Sequence, residues 1–221
     1  MENEGLKNKK KGIIILVAIL VIIAIICTVT IIIKNNSSKS NSSSSKVETL
    51  YNDLKQEKSY SFITTLNDDN KMIYEKNDNE AYIDTFYNKN ESKYVVKDGN
   101  SYLIVDNQKT YYKYVNNDTE LNKIELQLSD VINSGEHQNG EEEIDGKKYS
   151  YEEYNYLTDF TMQDTSNITQ NQNVKTRFYF KNNKLVYIKT IIDDKQELLK
   201  VDVSNKVDSN VFDIPSDYEE K

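Results

Sequence analysis

Between residues 59 and 115 apolar and polar side chains alternate in short runs, and each run ends in a cluster of Asn, Asp or Gly. Tyr60/Phe62/Thr64/Leu66, Met72/Tyr74, residues 80–88, Tyr94/Val96, 101–106 and 109–115 form such runs. Asn67-Asp68-Asp69-Asn70, Asp78-Asn79, Asn88-Lys89-Asn90, Asp98-Gly99 and Asn107-Gln108 separate them. A period of two punctuated so closely predicts strands joined by hairpins. The rhythm returns from Glu141 to Tyr151 around Asp145-Gly146, and from Val174 to Val203 around Asn182-Asn183 and Asp193-Asp194, with a final stretch to Tyr218. Asp98-Gly99 and Asp145-Gly146 suit two-residue turns in which both central residues need positive φ. No helix-length connection lies between the last strands, so parallel pairing is excluded for them. Residues 155–173, Gln/Asn-rich and weakly patterned, read as a long loop with some residual strand.

Two segments change period. Val47, Leu50, Tyr51 and Leu54 stand at i, i+3, i+4 and i+7, with Ser44 or Ser45 available as N-cap, which predicts a short amphipathic helix. Leu121, Ile124, Leu128 and Ile132 predict a second one within 118–134, with Asp118 as N-cap and Gly135 as stop. Residues 82–87, 102–105 and 185–192 carry apolar side chains on both strand faces, so both sides of the sheet centre need cover. A curved sheet, with helices on one face and a second apolar surface inside the curve, meets that need.

Ahead of this region, residues 13–33 (IIILVAILVIIAIICTVTIII) hold no charge over 21 positions. At about 1.5 Å per residue the run matches the roughly 30 Å hydrocarbon core of a bilayer, and it is longer than the core of a signal peptide and lacks a cleavage motif. It predicts a transmembrane helix. Lys7, Lys9, Lys10 and Lys11 precede it, against Lys34, Lys39 and Lys46 after it, which places residues 1–12 in the cytoplasm and the C-terminal bulk outside the cell. Residues 34–46, KNNSSKSNSSSSK, read as a flexible tether that keeps residues 47–221 within roughly 20 Å of the membrane.

Composition narrows the chemistry. The chain has 28 basic and 36 acidic side chains; residues 1–46 hold seven Lys and two Glu, which leaves 21 basic and 34 acidic groups in 47–221, a net of -13. Such a domain repels nucleic acid and anionic lipid surfaces. One His (His137) and one Cys (Cys27) supply no His/Cys metal site or Cys-His pair, and no glycine spacing forms a phosphate-binding loop. Glu141-Glu142-Glu143 with Asp145 lacks a calcium-loop spacing and reads as a solvated hairpin. Asp68/Asp69 and Asp193/Asp194 occupy turn positions that suit Asp for backbone reasons. No cofactor, no metal and no enzymatic activity are expected.

The closing segment Val211-Phe212-Asp213-Ile214-Pro215-Ser216-Asp217-Tyr218 follows the hairpins Arg177–Leu185 and Leu198–Val203. Together with Tyr94–Leu103 and Lys109-Thr110-Tyr111-Tyr112, it resembles the lipoprotein-carrier (LolA-like) superfamily, in a membrane-anchored variant of Gram-positive type. The resemblance spans most of 47–218 and implies an α+β fold: a curved antiparallel sheet, an unclosed half-barrel, packed with two or more helices. It also implies that the concave face holds acyl chains or another amphiphile. Candidate lining residues are Phe62, Tyr82, Phe86, Tyr102, Ile104, Phe178, Phe180, Leu185 and Tyr187, for each of which ordinary cross-strand packing is the competing role. Arg177, the single Arg, points opposite to Phe178 and Phe180. The expected function is a single-pass, membrane-tethered extracellular module that binds a lipid or other amphiphile; the alternative is a protein-interaction or sensing module at the cell envelope with no small ligand.

Overall fold

The computed structural model describes residues 45–87, 90–135, 137–161, 169–192 and 195–221. The expected cytoplasmic tail (1–12), transmembrane helix (13–33) and most of the tether (34–44) lie outside the described residues, as do the turn positions 88–89 and 193–194. Among the described residues no helix is long and apolar enough to cross a membrane.

Local turn chemistry sets the strands. Asp98 and Gly99, Asp145 and Gly146, and Asn182 and Asn183 all have φ between 50° and 73°. Each pair thus forms a turn whose twist matches that of its flanking strands. These turns join β4 (Asn90–Lys97) to β5 (Asn100–Val105), β7 (Gln138–Ile144) to β8 (Lys147–Thr161), and β9 (Thr169–Lys181) to β10 (Lys184–Ile192). With β1 (Ser59–Asn67), β2 (Asn70–Asn77), β3 (Glu80–Tyr87), β6 (Thr110–Tyr114), β11 (Lys195–Ser204) and β12 (Glu219–Glu220) they form one sheet in the order β12-β6-β5-β4-β3-β2-β1-β11-β10-β9-β8-β7. The sheet is unclosed. Every neighbouring pair is antiparallel except β12 and β6, which are parallel. The last segment therefore departs from the antiparallel expectation, because the long connection 205–218 carries the chain from β11 to the far edge of the sheet.

Residues 155–161 and 169–173 are strand rather than loop, and 162–168 lie outside the described residues. β8 and β9 continue their ladder from Tyr156↔Val174 to Thr161↔Thr169. Backbone pairing needs no alternation of side chains, so a polar extension of a hairpin escapes a search for periodicity.

The first helix, α1 (Lys46–Gln56), starts where Ser45 Oγ accepts the Glu48 N–H at 3.0 Å. Ser45 and Lys46 thus belong to the folded domain rather than to a tether ending at 46. The second expected helix divides into a 3-10 turn (Thr119–Asn122) and α2 (Lys123–Asn133). Asp118 makes no side-chain cap bond. Asn122, preceding α2, is equally without one, since its Oδ1 accepts from Lys76 Nζ at 2.7 Å.

Both helices pack on one face of the sheet. Val47 and Leu54 of α1 and Ile124, Leu128 and Val131 of α2 share a core with residues from β1 to β4 and from β8 to β11. Eight strands from β4 to β8 would span about 34 Å if flat, whereas two packed helices cover roughly 20 Å. The sheet reaches the helices from both flanks only by curving around them. The unclosed sheet with its two helices is a half-barrel.

The opposite face is covered by other means. After β11 the chain crosses β2, β3 and β4: the Asp208 N–H donates to Glu75 Oε2 at 2.8 Å, a 3-10 turn (Ser209–Phe212) packs on β3 and β4, and Lys97 Nζ meets Asp213 at 2.9 Å. Phe212 is 1% exposed. Further along, Lys109 pairs with Asp217 and the Tyr218 hydroxyl donates to Asp106 before β12 joins the sheet. At the other end of the sheet, Ile144, Tyr149 and Tyr179 form a second apolar cluster with Tyr151, Val186, Tyr187 and Leu198. The two-sided apolar segments of β3 and β10 are thus covered on the convex side by the strap and by this satellite cluster. Gly140 permits that packing, because a Cβ there would lie 2.4 Å from the Tyr151 ring.

Beside this cluster Glu142 is turned out of the expected solvated hairpin. It accepts from Arg177 Nη1 at 2.8 Å, from the Tyr179 hydroxyl at 2.5 Å and from Lys189 Nζ. Burial alone would raise its pKa; the bonds from Lys189, Tyr179 and Arg177 outweigh that and hold it at about 2. A carboxylate with a lowered folded pKa contributes stability that is complete above its unfolded value and lost as pH falls through the folded one. We expect Glu142→Gln to flatten the pH dependence of stability between about 4.5 and 2, measured by thermal melts followed by circular dichroism.

Candidate functional site

On the helix side of the sheet, side-chain register gives one row Tyr60–Lys76–Ala81–Val96–Ser101 and a second Phe62–Tyr74–Ile83–Tyr94–Leu103. Under α2 these rows are shut. Lys76 Nζ and Glu125 Oε1 meet at 2.5 Å with little exposure on either side, the Tyr60 hydroxyl donates to Glu125 Oε2 at 2.6 Å, and the Tyr74 hydroxyl donates to the Leu121 carbonyl at 2.5 Å. Burial first, then the neighbouring Tyr74 and Glu125, push the Tyr60 hydroxyl far up, so it stays a donor.

Under α1 the decisive group is Glu152 on β8. This buried carboxylate accepts from Ser45 Oγ at 2.7 Å and from the Lys46 and Val47 N–H groups at 2.6 and 3.1 Å. It thereby satisfies the unpaired amides of the helix start and meets the positive end of the helix dipole. Tyr154, whose hydroxyl burial pushes up to about 12, lies 2.8 Å from Ser45 Oγ. His137 packs on Tyr154 with ring centroids 5.5 Å apart.

Beyond the helices the same face is left partly open among the described residues. The row through Leu103 continues to Tyr112, and the row through Ser101 continues to Tyr114. Tyr112 and Tyr114 are 41% and 45% exposed, and Tyr94, Leu103 and Val105 are half-buried. These five side chains form an apolar strip on the concave side of β4, β5 and β6. At the ends of β4 and β5 a cavity of about 400 Å³ adjoins the strip, lined by Ser92, Lys93, Leu103, Ile104, Val105 and Asp106 among others. Lys93 Nζ there is held by Glu91 and Asp106 at 3.1 and 2.5 Å. Among the described residues no group of three His, Cys, Asp or Glu side chains is placed to hold a metal.

The nine lining candidates do not share a surface. Phe62, Phe178, Phe180 and Leu185 face the helices and are sealed in the core. Tyr82, Phe86 and Tyr102 have the opposite parity: Tyr82 bonds Asp84 at 3.0 Å, Lys71 lies over Phe86, and Tyr102 packs edge-on against Tyr111. Ile104 shares that parity and borders the cavity at the strand ends. Tyr187 packs against Tyr149 in the convex cluster. The concave strip instead uses Leu103 and Val105, the neighbours of Tyr102 and Ile104. β5 is apolar on both faces, so alternation alone does not tell which set looks inward. The Tyr112/Tyr114 pair was legible as a period-two tyrosine run on the sixth strand.

No family model matches the chain, and no curated protein matches it. Among solved structures, the chain is similar to the crystal structure of the Mycobacterium tuberculosis lipoprotein LppX, at 14% identity, a TM-score of 0.44, and coverage of 74% of this chain and 95% of that one.

Removing one partner of a buried ion pair strands the other. Lys76→Met should therefore lower the unfolding free energy by about 3 kcal/mol. The double variant Lys76→Met/Glu125→Leu should recover part of that loss, both read from urea denaturation.

Proposed function

We propose that the chain is a binding module and not an enzyme: a single-pass, membrane-tethered envelope protein that holds a lipid or similar amphiphile against the concave face of its half-barrel, outside the cytoplasm. The observation that carries this reading is the strip of Tyr94, Leu103, Val105, Tyr112 and Tyr114, which the helices leave open beside a cavity of about 400 Å³. An apolar trough with a few polar groups at its end suits a molecule with a tail and a head. The uncharged run 13–33 and the short Ser/Asn segment after it would hold that trough within reach of membrane lipid. The net charge of the domain disfavours docking on anionic lipid surfaces, so the amphiphile would be taken through its apolar part.

The test uses the full chain in zwitterionic micelles and a fluorescent polyene fatty acid as probe. Replacing Leu103 by Asp should weaken binding at least tenfold, since burial of a leucine side chain is worth about 1.5–3 kcal/mol. Leu126→Asp, at a position 55% exposed on α2, should leave binding unchanged. Equal affinity of the wild type and Leu103→Asp, or no probe binding by either, would refute the reading.

A further inference from the structure

Asp84 on β3 is a carboxylate set among apolar and aromatic neighbours. It shares the convex side with Tyr82 and Phe86 and is 5% exposed. Its Oδ2 accepts from the Tyr82 hydroxyl at 3.0 Å, while Oδ1 is buried and, among the described residues, has no hydrogen-bond partner. A charged oxygen left in that condition costs more than a neutral one. Burial first pushes the pKa of Asp84 up and Glu91 adds to the rise, against the Tyr82 bond and the charges of Lys93 and Lys71.

The cation that would answer Oδ1 stands directly opposite. Lys93 on β4 is the cross-strand partner of Asp84. Side chains so paired have Cβ atoms about 5 Å apart, within the reach of a lysine. Lys93 instead bonds Glu91 Oε1 at 3.1 Å and Asp106 Oδ2 at 2.5 Å, and in that position it lines the cavity of about 400 Å³. One ammonium thus has Asp84, Glu91 and Asp106 within reach and serves only the last two. Other charged groups nearby are committed elsewhere. Lys71 lies over the Phe86 ring, 4.6 Å from its centroid. Along the strap, Asp208 Oδ1 accepts the Asn210 N–H, Asp213 meets Lys97 and Asp217 meets Lys109, while Glu75 accepts the Asp208 N–H.

We infer that Lys93 is a two-position switch: with Asp84 neutral it holds Glu91 and Asp106 at the cavity wall, and with Asp84 ionised it turns to Asp84 Oδ1 and leaves those two carboxylates facing the cavity unpaired. As pH rises through the raised pKa of Asp84, its proton passes to solvent and the charge left on Oδ1 draws the ammonium across the strand pair. Among the residues lining the cavity Lys93 is the one cation, so its departure leaves Glu91 and Asp106 without a counter-charge there. The effect on a bound molecule rests on the amphiphile reading: a negative head is tolerated in the first position and repelled in the second.

The experiment follows the full chain in zwitterionic micelles by NMR, with isotope labels at lysine Nζ and aspartate Cγ. Asp84 should titrate above about pH 4, the ordinary aspartate value, and the Lys93 Nζ and Asp106 Cγ signals should move with the same midpoint. Asp84→Asn should hold Lys93 still over that range. Asp106→Asn frees Lys93 for Asp84 and should lower the Asp84 midpoint; it serves as the second test if Asp84→Asn does not fold. A Lys93 signal that ignores the Asp84 titration, or that moves equally in Asp84→Asn, overturns the inference. Two fluorescent alkyl probes of fixed charge, one ending in sulfonate and the other in trimethylammonium, read the cavity. Across the midpoint the sulfonate should weaken about fivefold relative to the ammonium, and the ratio should stay constant in Asp84→Asn. A constant ratio in the wild type, with both probes bound, overturns the effect on the cavity. Failure of both probes to bind refutes the amphiphile reading instead, and the lysine signal alone then decides the switch.

Discussion

A twisted sheet as wide as this one has more surface than two short helices can cover, and bending is what reconciles the two. Curvature lets residues as far apart in strand order as Val96 on β4 and Tyr154 on β8 share one core with α1 and α2. It also fixes where the helices must be tied down. α2 is held at the β1–β2 flank by Lys76, Tyr60 and Tyr74, and α1 at the β8 flank by Glu152. Each tie is polar, buried and specific in register, so the helix pair is located from both sides rather than floating on an oily surface. The Glu152 tie has a further consequence: it grips Ser45, Lys46 and Val47, so the chain enters the described domain at a fixed point.

Covering the convex side takes a different solution. The strap from 205 to 218 fastens through Glu75, Lys97, Asp106 and Lys109, one polar contact at a time, with Phe212 as its single deeply buried anchor. Its ion pairs at Lys97 and Lys109 are solvent-exposed and individually weak. Apolar burial at Phe212 and the closing backbone bonds of β12 supply most of what holds it.

Features set by neighbouring residues were legible in the sequence. The φ > 0 pairs Asp98-Gly99, Asp145-Gly146 and Asn182-Asn183 announce their hairpins, and Val47/Leu50/Tyr51/Leu54 announce α1. Features set by distant partners were not. Asn122 fails as a helix cap because Lys76, 46 positions away, occupies its oxygen. Phe212 looks like the end of a meander until β3 and β4 are seen beneath it. The inward side of β5 is decided by the register of five strands, so Tyr102 and Leu103 are indistinguishable one residue apart. Gln/Asn-rich segments of β8 and β9 carry their information in the backbone, where sequence pattern is mute.

The uncovered strip has a cause in the fold. Among the described residues helix cover ends near β4, where Val96 is the last strand residue of the sealed core in that direction. β5 and β6 extend beyond the helices, and their side chains are apolar and aromatic all the same: Leu103, Val105, Tyr112 and Tyr114 on the concave side, Tyr102 and Tyr111 on the other. β7, equally remote from the strap, is instead guarded by carboxylates. Had β5 and β6 served only to widen the sheet, the same charged finish would have suited them, and it would have removed the exposed tyrosines at no cost to the core. Apolar character kept where the described helices no longer cover the sheet is the physical basis of the amphiphile-binding proposal.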